Sequence, residues 1–379
     1  MKKFLVFFCA LLVMVFVSCD GKKEAPAPAP SAPAASAAAE KGAKPFKYGF
    51  ISWGTADEHG RTLNAACKWA VEAAGGEFIM DGSAISAETT IAAAENLIQA
   101  GCNMISFCTY SGEASVPQIS RLCQENRVYW TMWDTTIADK SVQEMIDQDP
   151  YFVGTTNEDQ YAAGYRTMQI LAEKGAKNCI VGKYGVNIPT CDGRVEGAEA
   201  AAKELGVNIL YEVVAPTDWK KGFQDAFVAH PSADSVFMAG AGQQSPQIAA
   251  AFNETGKTEY YIGSVDYYDA MGESLKKGEL SVISGGHMIT STFSALMAIN
   301  AYFGTPLSTE KYQITIPYLM LSSYEDFELY LKYASQGAAY TPDEMKKFIG
   351  VYNPSLTLDF FQQEVSKWSV ADIKARKEG

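Results

Sequence analysis

The chain has 379 residues, of which 47% are hydrophobic and 20% are charged, and its formal net charge is −13. This composition is ordinary for a globular protein, and the length suits two domains better than a single core. Lysine and arginine form no cluster except Lys374, Arg376 and Lys377 near the end of the chain. We therefore expect no nucleic-acid partner.

Residues 1–18 have the pattern of a secretory signal peptide. Two lysines precede an apolar run from Phe4 to Val17, which is too short to span a bilayer stably. Small Ser18 then precedes Cys19, and the letters FVSC resemble a bacterial lipobox, in which the cysteine is diacylated and becomes the mature N-terminus. An ordinary secretory signal with a chance cysteine is the alternative. Both interpretations predict an exported chain.

Residues 19–45 are predicted to be the lipidated cysteine followed by a disordered tether. The stretch from Ala25 to Ala39 contains only alanine, proline and serine. Such a segment cannot bury enough apolar surface to fold, and its prolines keep it extended. A tether directly after an acylatable cysteine favours a lipid-anchored protein that faces the periplasm or the cell exterior. A disordered tail with no task is the alternative.

From residue 46 onward, short apolar strands alternate with helices. The predicted strands of the first half are 47–53, 77–80, 103–108 and 128–133, and the predicted helices are 58–74, 86–100 and 115–125. Continuous apolar strands separated by helices are typical of a parallel sheet covered on both faces.

The same alternation starts again after residue 152. The predicted strands are 178–183, 208–214, 235–238 and 260–265, and the predicted helices are 158–174, 191–205, 219–229, 244–255 and 270–277. We therefore predict an α/β fold of two Rossmann-like lobes with parallel sheets. The ligand cleft is expected at the carboxyl ends of the strands.

Several segments, in this order, resemble landmarks of the type I periplasmic binding proteins, the ribose- and galactose-binding group of ABC-transporter solute receptors. They are AENLIQAGCNMISFC (94–108), VYWTMWD (128–134), FVGTTNEDQYAAGY (152–165), DGRVEGAEAA (192–201), YIGSVD (261–266) and LKKGELSVISGGHM (275–288). The resemblance implies a three-crossing hinge and a monomeric receptor. It assigns residues 46–156 and 288–311 to the N-terminal lobe, and 157–287 and 312–379, with extra C-terminal helices, to the C-terminal lobe.

Position after a strand selects the candidate ligand-binding residues. Asp134 and Asp266 each end an apolar strand, and the resemblance makes them the ligand-binding acids of the two lobes, with hinge or capping roles as the alternative. An unpaired acid at such a place is costly unless a partner satisfies it. Trp133 is a candidate stacking surface or a core residue.

The loop after the first strand supplies further candidates. Trp53 could cover the apolar face of a sugar or a base, and Asp57 and Glu58 could accept hydrogen bonds from its hydroxyl groups. Capping of the following helix is an equally good interpretation of the two acids.

Three weaker candidates belong to the second half of the chain. Arg194 falls in the first turn of its predicted helix, where a cation opposes the helix dipole, and it matches the family's R-x-x-G element; an exposed surface arginine is the alternative. The sequence GAGQ (240–243) stands where the family has an Asn-Asp dipeptide, and Gln243 is the candidate substitute for it. His287 lies at the return to the first lobe, where a structural histidine is the alternative. Aromatic residues near strand ends, of which some should line the cleft, are Tyr110, Tyr184, Trp219, Tyr267 and Tyr268.

Signals for metal binding and catalysis are scarce. The six cysteines after Cys19 show no CxxC or CxxH spacing, and most are expected to be buried thiols. The three histidines form no HExxH motif, and no G-x-S-x-G elbow occurs. We therefore expect no metal, no cofactor and no enzyme activity.

These observations predict a lipid-anchored extracytoplasmic solute-binding protein of an ABC importer. It would capture a small polar ligand by hinge closure and dock on an ABC permease, with a monosaccharide as the ligand that the resemblance implies. The alternatives are a ligand-sensing module for a chemoreceptor or histidine kinase, a receptor for a nucleoside or other non-sugar solute, and a surface protein that binds no ligand.

Overall fold

The structure, a computed structural model, describes residues 44–109 and 112–378. The predicted signal peptide, Cys19 and Tyr110 lie outside the described residues, as does most of the predicted tether. Among the helices of the described ranges, none combines the length and the apolar character that a bilayer crossing needs.

Strands and helices alternate along most of the described chain, as the hydrophobic pattern predicts. The strands are β1 (Lys47–Ile51), β2 (Glu77–Asp81), β3 (Met104–Phe107), β4 (Tyr129–Met132), β5 (Phe152–Glu158), β6 (Asn178–Lys183), β7 (Asn208–Val214), β8 (Ser235–Met238), β9 (Tyr261–Val265), β10 (Val282–Gly285), β11 (Tyr312–Ile316) and β12 (Leu319–Leu321). The α-helices are α1 (Glu58–Ala73), α2 (Ala87–Gln99), α3 (Val116–Asn126), α4 (Lys140–Asp147), α5 (Gln160–Lys174), α6 (Pro189–Leu205), α7 (Trp219–Ala229), α8 (Ser245–Glu254), α9 (Met271–Lys277), α10 (Ile289–Tyr302), α11 (Tyr324–Tyr333), α12 (Pro342–Lys346), α13 (Leu358–Ser366) and α14 (Val370–Glu378).

The strands form two six-stranded sheets, one in each lobe. The first-lobe sheet has the order β11-β5-β4-β3-β1-β2, and the second-lobe sheet has the order β12-β10-β9-β8-β6-β7. Every pairing is parallel except that of β12, which runs antiparallel to β10. Central strands such as β3 and β8 are buried at every residue, because helices cover both faces. The predicted fold class is confirmed.

The chain crosses between the sheets three times, and these crossings form the hinge. It leaves the first lobe after β5, returns between β10 and α10, and crosses again between β11 and β12. Gly286 lies on the second crossing with φ of 64°. A side chain there would be strained in this left-handed conformation and would also meet Leu319 at the start of β12.

The predicted assignment of residues 312–379 to the second lobe is wrong for β11. This strand pairs in parallel with β5, so that Tyr312 lies opposite Gly154 in the first-lobe sheet. The pairing is unusually close, because a Cβ added at Gly154 would lie 2.0 Å from the carbonyl oxygen of Tyr312. The third crossing therefore follows Ile316 instead of preceding residue 312; the other lobe boundaries stay a prediction.

The C-terminal helices pack on both lobes, which corrects the expectation that they belong to the second lobe alone. Helix α11 contacts α9 and β12 of the second lobe, whereas α12 contacts α1 and α13 contacts β11 of the first lobe. The C-terminal segment is attached to the first lobe by aromatic contacts with Phe293 in α10. Tyr340, Phe348 and Phe361 meet it edge-on at centroid distances of 5.8, 5.2 and 5.4 Å, a favoured geometry for aromatic pairs.

The six cysteines of the described residues are joined by no disulfide, and five of them are buried. Burial raises the pKa of the Cys102 thiol to about 11 and that of Cys179 to about 12. Thiols of this kind stay protonated and act as small apolar side chains. The prediction that most of the six are buried thiols is confirmed.

Trp368 of the C-terminal segment contacts the second hinge crossing, and substitutions of this residue test whether the segment stabilises the hinge. The side chain is 2% exposed, and its Nε1 donates to the carbonyl oxygen of Gly286 at 3.1 Å. We expect Trp368→Ala to lower the free energy of unfolding by about 3–5 kcal/mol. Trp368→Phe keeps most of the packing and should cost about 1–3 kcal/mol, the cost of an unpaired carbonyl group. Urea unfolding measures both, and two variants as stable as the wild type would contradict this role.

Candidate functional site

Two aspartates occupy corresponding places in the two lobes. Asp134 follows β4 and Asp266 follows β9, and each strand is the third in its sheet in the orders given above. Both residues have a left-handed backbone, with φ of 47° and 76°, which costs an L-residue roughly 1–2 kcal/mol. Strain of this kind is concentrated at functional sites. The pair marks the carboxyl ends of the two sheets as the candidate ligand cleft.

Asp134 and Asp266 lie near the same two groups at the hinge. The charges of both aspartates raise the pKa of the His59 imidazole and that of the Glu158 carboxyl group. Coulomb interactions fade with distance and solvent, so His59 and Glu158 each lie within electrostatic range of both aspartates. The structure thus brings together the two acids that the sequence analysis places in different lobes.

The first-lobe wall of the cleft contains polar atoms that no protein group satisfies. The Oδ2 atom of Asp134 lies 3.5 Å from His59 Nε2, whereas its buried Oδ1 atom has no hydrogen-bond partner. Trp133 is fully buried and stacks on Phe50 at a centroid distance of 5.1 Å, and its Nε1 atom also lacks a hydrogen-bond partner. Buried polar groups are rarely left unpaired, so both atoms are candidates for contact with a ligand.

The loop after β1 is tied to the start of α1. Asp57 accepts a hydrogen bond from the backbone N–H of Gly60 at 2.7 Å and another from Trp53 Nε1 at 3.0 Å. This is the capping role that the sequence analysis keeps open. Trp53 is half-buried and lies against Trp133 and His59 at centroid distances of 5.8 and 5.4 Å. Its ring therefore borders the cleft, while Asp57 holds it in place.

Glu58 connects α1 to the C-terminal helices. Its Oε1 atom accepts a hydrogen bond from the hydroxyl group of Tyr330 in α11 at 2.8 Å. Burial raises the pKa of Glu58, although the bond to Tyr330 opposes the shift. The structure therefore gives Glu58 a role in joining elements of the two lobes.

Arg194 is the centre of the second-lobe wall. Helix α6 begins at Pro189, earlier than predicted, so Arg194 lies in its second turn, and the residue is only 5% exposed. The alternative of an exposed surface arginine is wrong. The guanidinium group donates from Nε to Gln160 Oε1 at 2.7 Å, from Nη1 to the Ala239 carbonyl oxygen at 3.1 Å, and from Nη2 to the Tyr318 hydroxyl group at 2.6 Å.

Arg194 also orients Asp266. Its Nη1 atom lies 3.5 Å from Asp266 Oδ1, and the backbone N–H of Ala241 donates to Asp266 Oδ2 at 3.2 Å. Burial opposes the charge of Arg194, but Tyr318 and Asp266 raise its pKa above the ordinary value. The Asp266 side chain is 38% exposed, so a carboxylate fixed at its base remains accessible from the cleft.

A buried polar cluster at the hinge completes the site. The imidazoles of His59 and His287 have a centroid distance of 4.3 Å, and His287 Nε2 lies 3.9 Å from Glu158 Oε1. Burial raises the pKa of Glu158 well above its ordinary value, and the charge of Asp134 adds to this shift. Burial lowers the pKa of His287, and His59 and Arg194 lower it further. The cluster thus favours a neutral His287 and a protonated Glu158.

Four residues that contribute to the cleft walls and the hinge were not predicted as site residues from the sequence. They are His59, Glu158, Gln160 and Tyr318. Glu158 and Gln160 belong to the sequence NEDQ (157–160) at the first crossing. In this sequence polar residues follow an apolar strand. That signal could have identified them. Tyr318 lies in the two-residue link between β11 and β12, which the sequence pattern did not reveal.

The other predicted residues vary in their relation to the cleft. Gln243 is exposed in the short turn after β8. The ring of Tyr184 lies beside Gly240, where an added Cβ would also approach Arg194 Nη1, so it borders the second-lobe wall. Trp219 stacks on Phe223, and Tyr267 donates to the carbonyl oxygen of Leu319, so both serve packing. The hydroxyl group of Tyr268 is buried without a hydrogen-bond partner.

A family model described as "Periplasmic binding protein domain" matches residues 48–304, more than half of the chain. No curated protein matches the chain at a significant level.

Similar folds occur in several solved structures. A periplasmic sugar-binding protein from Pseudomonas fluorescens has 17% identity and a TM-score of 0.62, and the match covers 82% of this chain and 95% of that chain. A periplasmic ribose ABC transporter from Conexibacter woesei has 13% identity and a TM-score of 0.66, with 78% and 98% covered. A solute-binding protein from Actinobacillus succinogenes with bound D-allose has 16% identity and a TM-score of 0.60, with 75% and 99% covered. Identities this low show a shared fold.

The environment of His59 makes stability depend on pH. Burial by itself lowers the pKa of His59, but Asp134, Asp266 and Glu58 raise it above its ordinary value. The stabilisation from a raised pKa is fully present below the unfolded pKa of about 6.5 and is lost as the pH rises through the folded pKa. We therefore expect the stability advantage of the wild type over His59→Gln to shrink above about pH 6.5.

Urea unfolding in the presence of a metal chelator, at a series of pH values, measures this difference. His230→Gln, at the end of α7, is the matched control for loss of an imidazole. An advantage of the wild type that grows as the pH rises would contradict the assigned direction.

Proposed function

The chain belongs to the periplasmic binding protein family, and from this premise we propose that it captures a monosaccharide in the cleft between its lobes for an ABC importer. The observation that carries the proposal is the pair of strained aspartates, Asp134 and Asp266, at corresponding strand ends of the two lobes. One carboxylate from each lobe can accept hydrogen bonds from hydroxyl groups of a single small ligand.

The chemistry of the walls favours a sugar over a more apolar solute. The Asp134 and Asp266 carboxylates accept hydrogen bonds, the buried Trp133 Nε1 atom can donate one, and the ring of Trp53 offers an apolar surface beside them. A monosaccharide combines hydroxyl groups around its edge with an apolar C–H face. The similar structures include a sugar-binding protein and one with bound D-allose, which supports the choice of ligand class.

Closure of the hinge would trap the ligand. The lobes already meet outside the hinge, since Arg61 Nη2 of α1 donates to Asp269 Oδ1 of the second lobe at 2.7 Å. Both side chains are largely exposed, so this ion pair contributes little by itself, about 0–1 kcal/mol. A ligand that contacts both lobes only in the closed form would shift the equilibrium toward it by its differential affinity.

The proposed setting is the outer face of a membrane. Proteins of this family are periplasmic solute receptors. In our proposal Cys19 carries a lipid, the segment up to residue 45 serves as a tether, and the closed monomer docks on an ABC permease. In the same proposal the receptor releases its ligand unchanged.

A thermal-shift screen with aldoses and ketoses, in pyranose- and furanose-forming sets, tests the proposal. A sugar at about one hundred times its dissociation constant should stabilise the folded chain by roughly 2.7 kcal/mol. We expect Asp134→Asn and Asp266→Asn each to abolish the shift, because each removes an acceptor on one wall. Asp343→Asn is the matched control, since that side chain is 90% exposed on α12.

Two results of this screen would contradict the proposal, one on the ligand class and one on the location of the site. No shift with any sugar, from a wild-type sample that unfolds cooperatively, would overturn the monosaccharide assignment. A shift that survives in both aspartate variants would place the binding site elsewhere on the protein.

A further inference from the structure

Two of the chain's three histidines lie side by side in the cleft. The rings of His59 and His287 have a centroid distance of 4.3 Å, and one ligand atom from each of His59, Asp134 and His287 lies within 4.8 Å of the others. Three separate elements supply them: the first turn of α1, the strained turn after β4, and the second hinge crossing. No spacing along the sequence could reveal this group.

The group contains polar atoms that the protein leaves unpaired. His287 is 6% exposed, and its Nδ1 atom has no hydrogen-bond partner, while Nε2 lies 3.9 Å from Glu158 Oε1. The buried Oδ1 atom of Asp134 also has no hydrogen-bond partner. An unsatisfied buried polar atom costs about 1–3 kcal/mol. Two such atoms among three potential metal ligands make this group a candidate for binding an ion.

The distances favour a shared cation over a direct hydrogen bond. His59 Nε2 and Asp134 Oδ2 are 3.5 Å apart, whereas a charge-assisted hydrogen bond is usually about 2.7–2.9 Å long. Two ligands of a tetrahedral zinc ion, each about 2.1 Å from the metal, are about 3.4 Å apart. The three ligand atoms lie within 4.8 Å of one another, so a shift of His287 by at most about 1.4 Å would bring it to the tetrahedral spacing.

We propose that His59, Asp134 and His287 bind a divalent transition-metal ion, with zinc as the first candidate. Imidazole nitrogen suits zinc and its neighbours, whereas calcium and magnesium prefer oxygen ligands. Three protein ligands leave a fourth position open, and water or an oxygen atom of a cleft ligand would take it. The charge of a bound cation would favour the ionised form of Glu158. Its carboxylate would then support the site from behind His287, as carboxylates commonly do for metal-bound histidines.

This inference goes beyond sugar capture and does not depend on it. The test therefore contains no sugar, and its failure leaves the proposed function intact. The full chain, freed of metal by a chelator, is titrated with zinc chloride while the imidazole signals of the three histidines are followed by NMR. We expect one zinc ion per chain, with changes in the signals of His59 and His287 and none in that of His230, which stacks on Tyr211 away from the cleft.

Variants provide an independent readout. Outer-shell changes cost about 10–100-fold in metal affinity, and we expect His59→Ala and His287→Ala to weaken zinc binding by at least this factor. Glu158→Gln should weaken it by about tenfold, and His230→Ala should bind as the wild type does. Titration against a chromogenic chelator measures all four.

Two results would overturn the metal site. One is the absence of one-to-one zinc binding to the wild-type chain, which requires no variant to fold. The other is a double variant, His59→Ala with His287→Ala, that binds zinc as tightly as the wild type.

Discussion

The buried guanidinium group of Arg194 is the constraint on which the second-lobe wall and the hinge depend. An arginine that is 5% exposed must have its charge and its donors satisfied by the protein. Gln160 at the first crossing and Tyr318 at the third accept hydrogen bonds from it, and Tyr318 in turn donates to Gln160 at 3.0 Å. One side chain of α6 therefore links two of the three crossings. The same group holds Asp266 in the cleft.

The remaining crossing joins this network through the carboxyl group of Glu158. Gln160 Nε2 donates to Glu158 Oε2 at 3.3 Å, and Glu158 Oε1 lies near His287 on the second crossing. His287 contacts His59, which lies beside Asp134. A continuous set of polar contacts thus runs from one wall of the cleft, through all three crossings, to the other wall. A ligand that alters this network would also act on the hinge, and in our proposal this contact would couple ligand binding to closure of the lobes.

The architecture could be predicted from sequence because its signals are local. Apolar strands such as β3 and cap residues such as Ser86 at the start of α2 reflect short-range preferences. The placement of β11 could not be predicted, since its pairing depends on the close approach that Gly154 permits far away in the chain. The C-terminal helices were misplaced for a similar reason, because their apolar side chains pack on Phe293.

The difference between local signals and long-range contacts also explains which site residues could be predicted from the sequence. Asp134 and Asp266 could be selected because each follows an apolar strand. His59, Glu158 and Tyr318 gain their importance from contacts between segments that are distant in sequence. The C-terminal segment joins the same region, since Trp368 donates to Gly286 on the second crossing. The hinge is therefore built from residues spread over the whole described chain.

If the acids of both lobes close on one small ligand, the protein becomes more compact when the ligand binds, and small-angle X-ray scattering with and without a sugar from the screen measures this. We expect a smaller radius of gyration at saturation for the wild type and for Asp343→Asn, and no change for Asp266→Asn. A wild-type radius that stays constant while the sugar is bound would contradict this expectation.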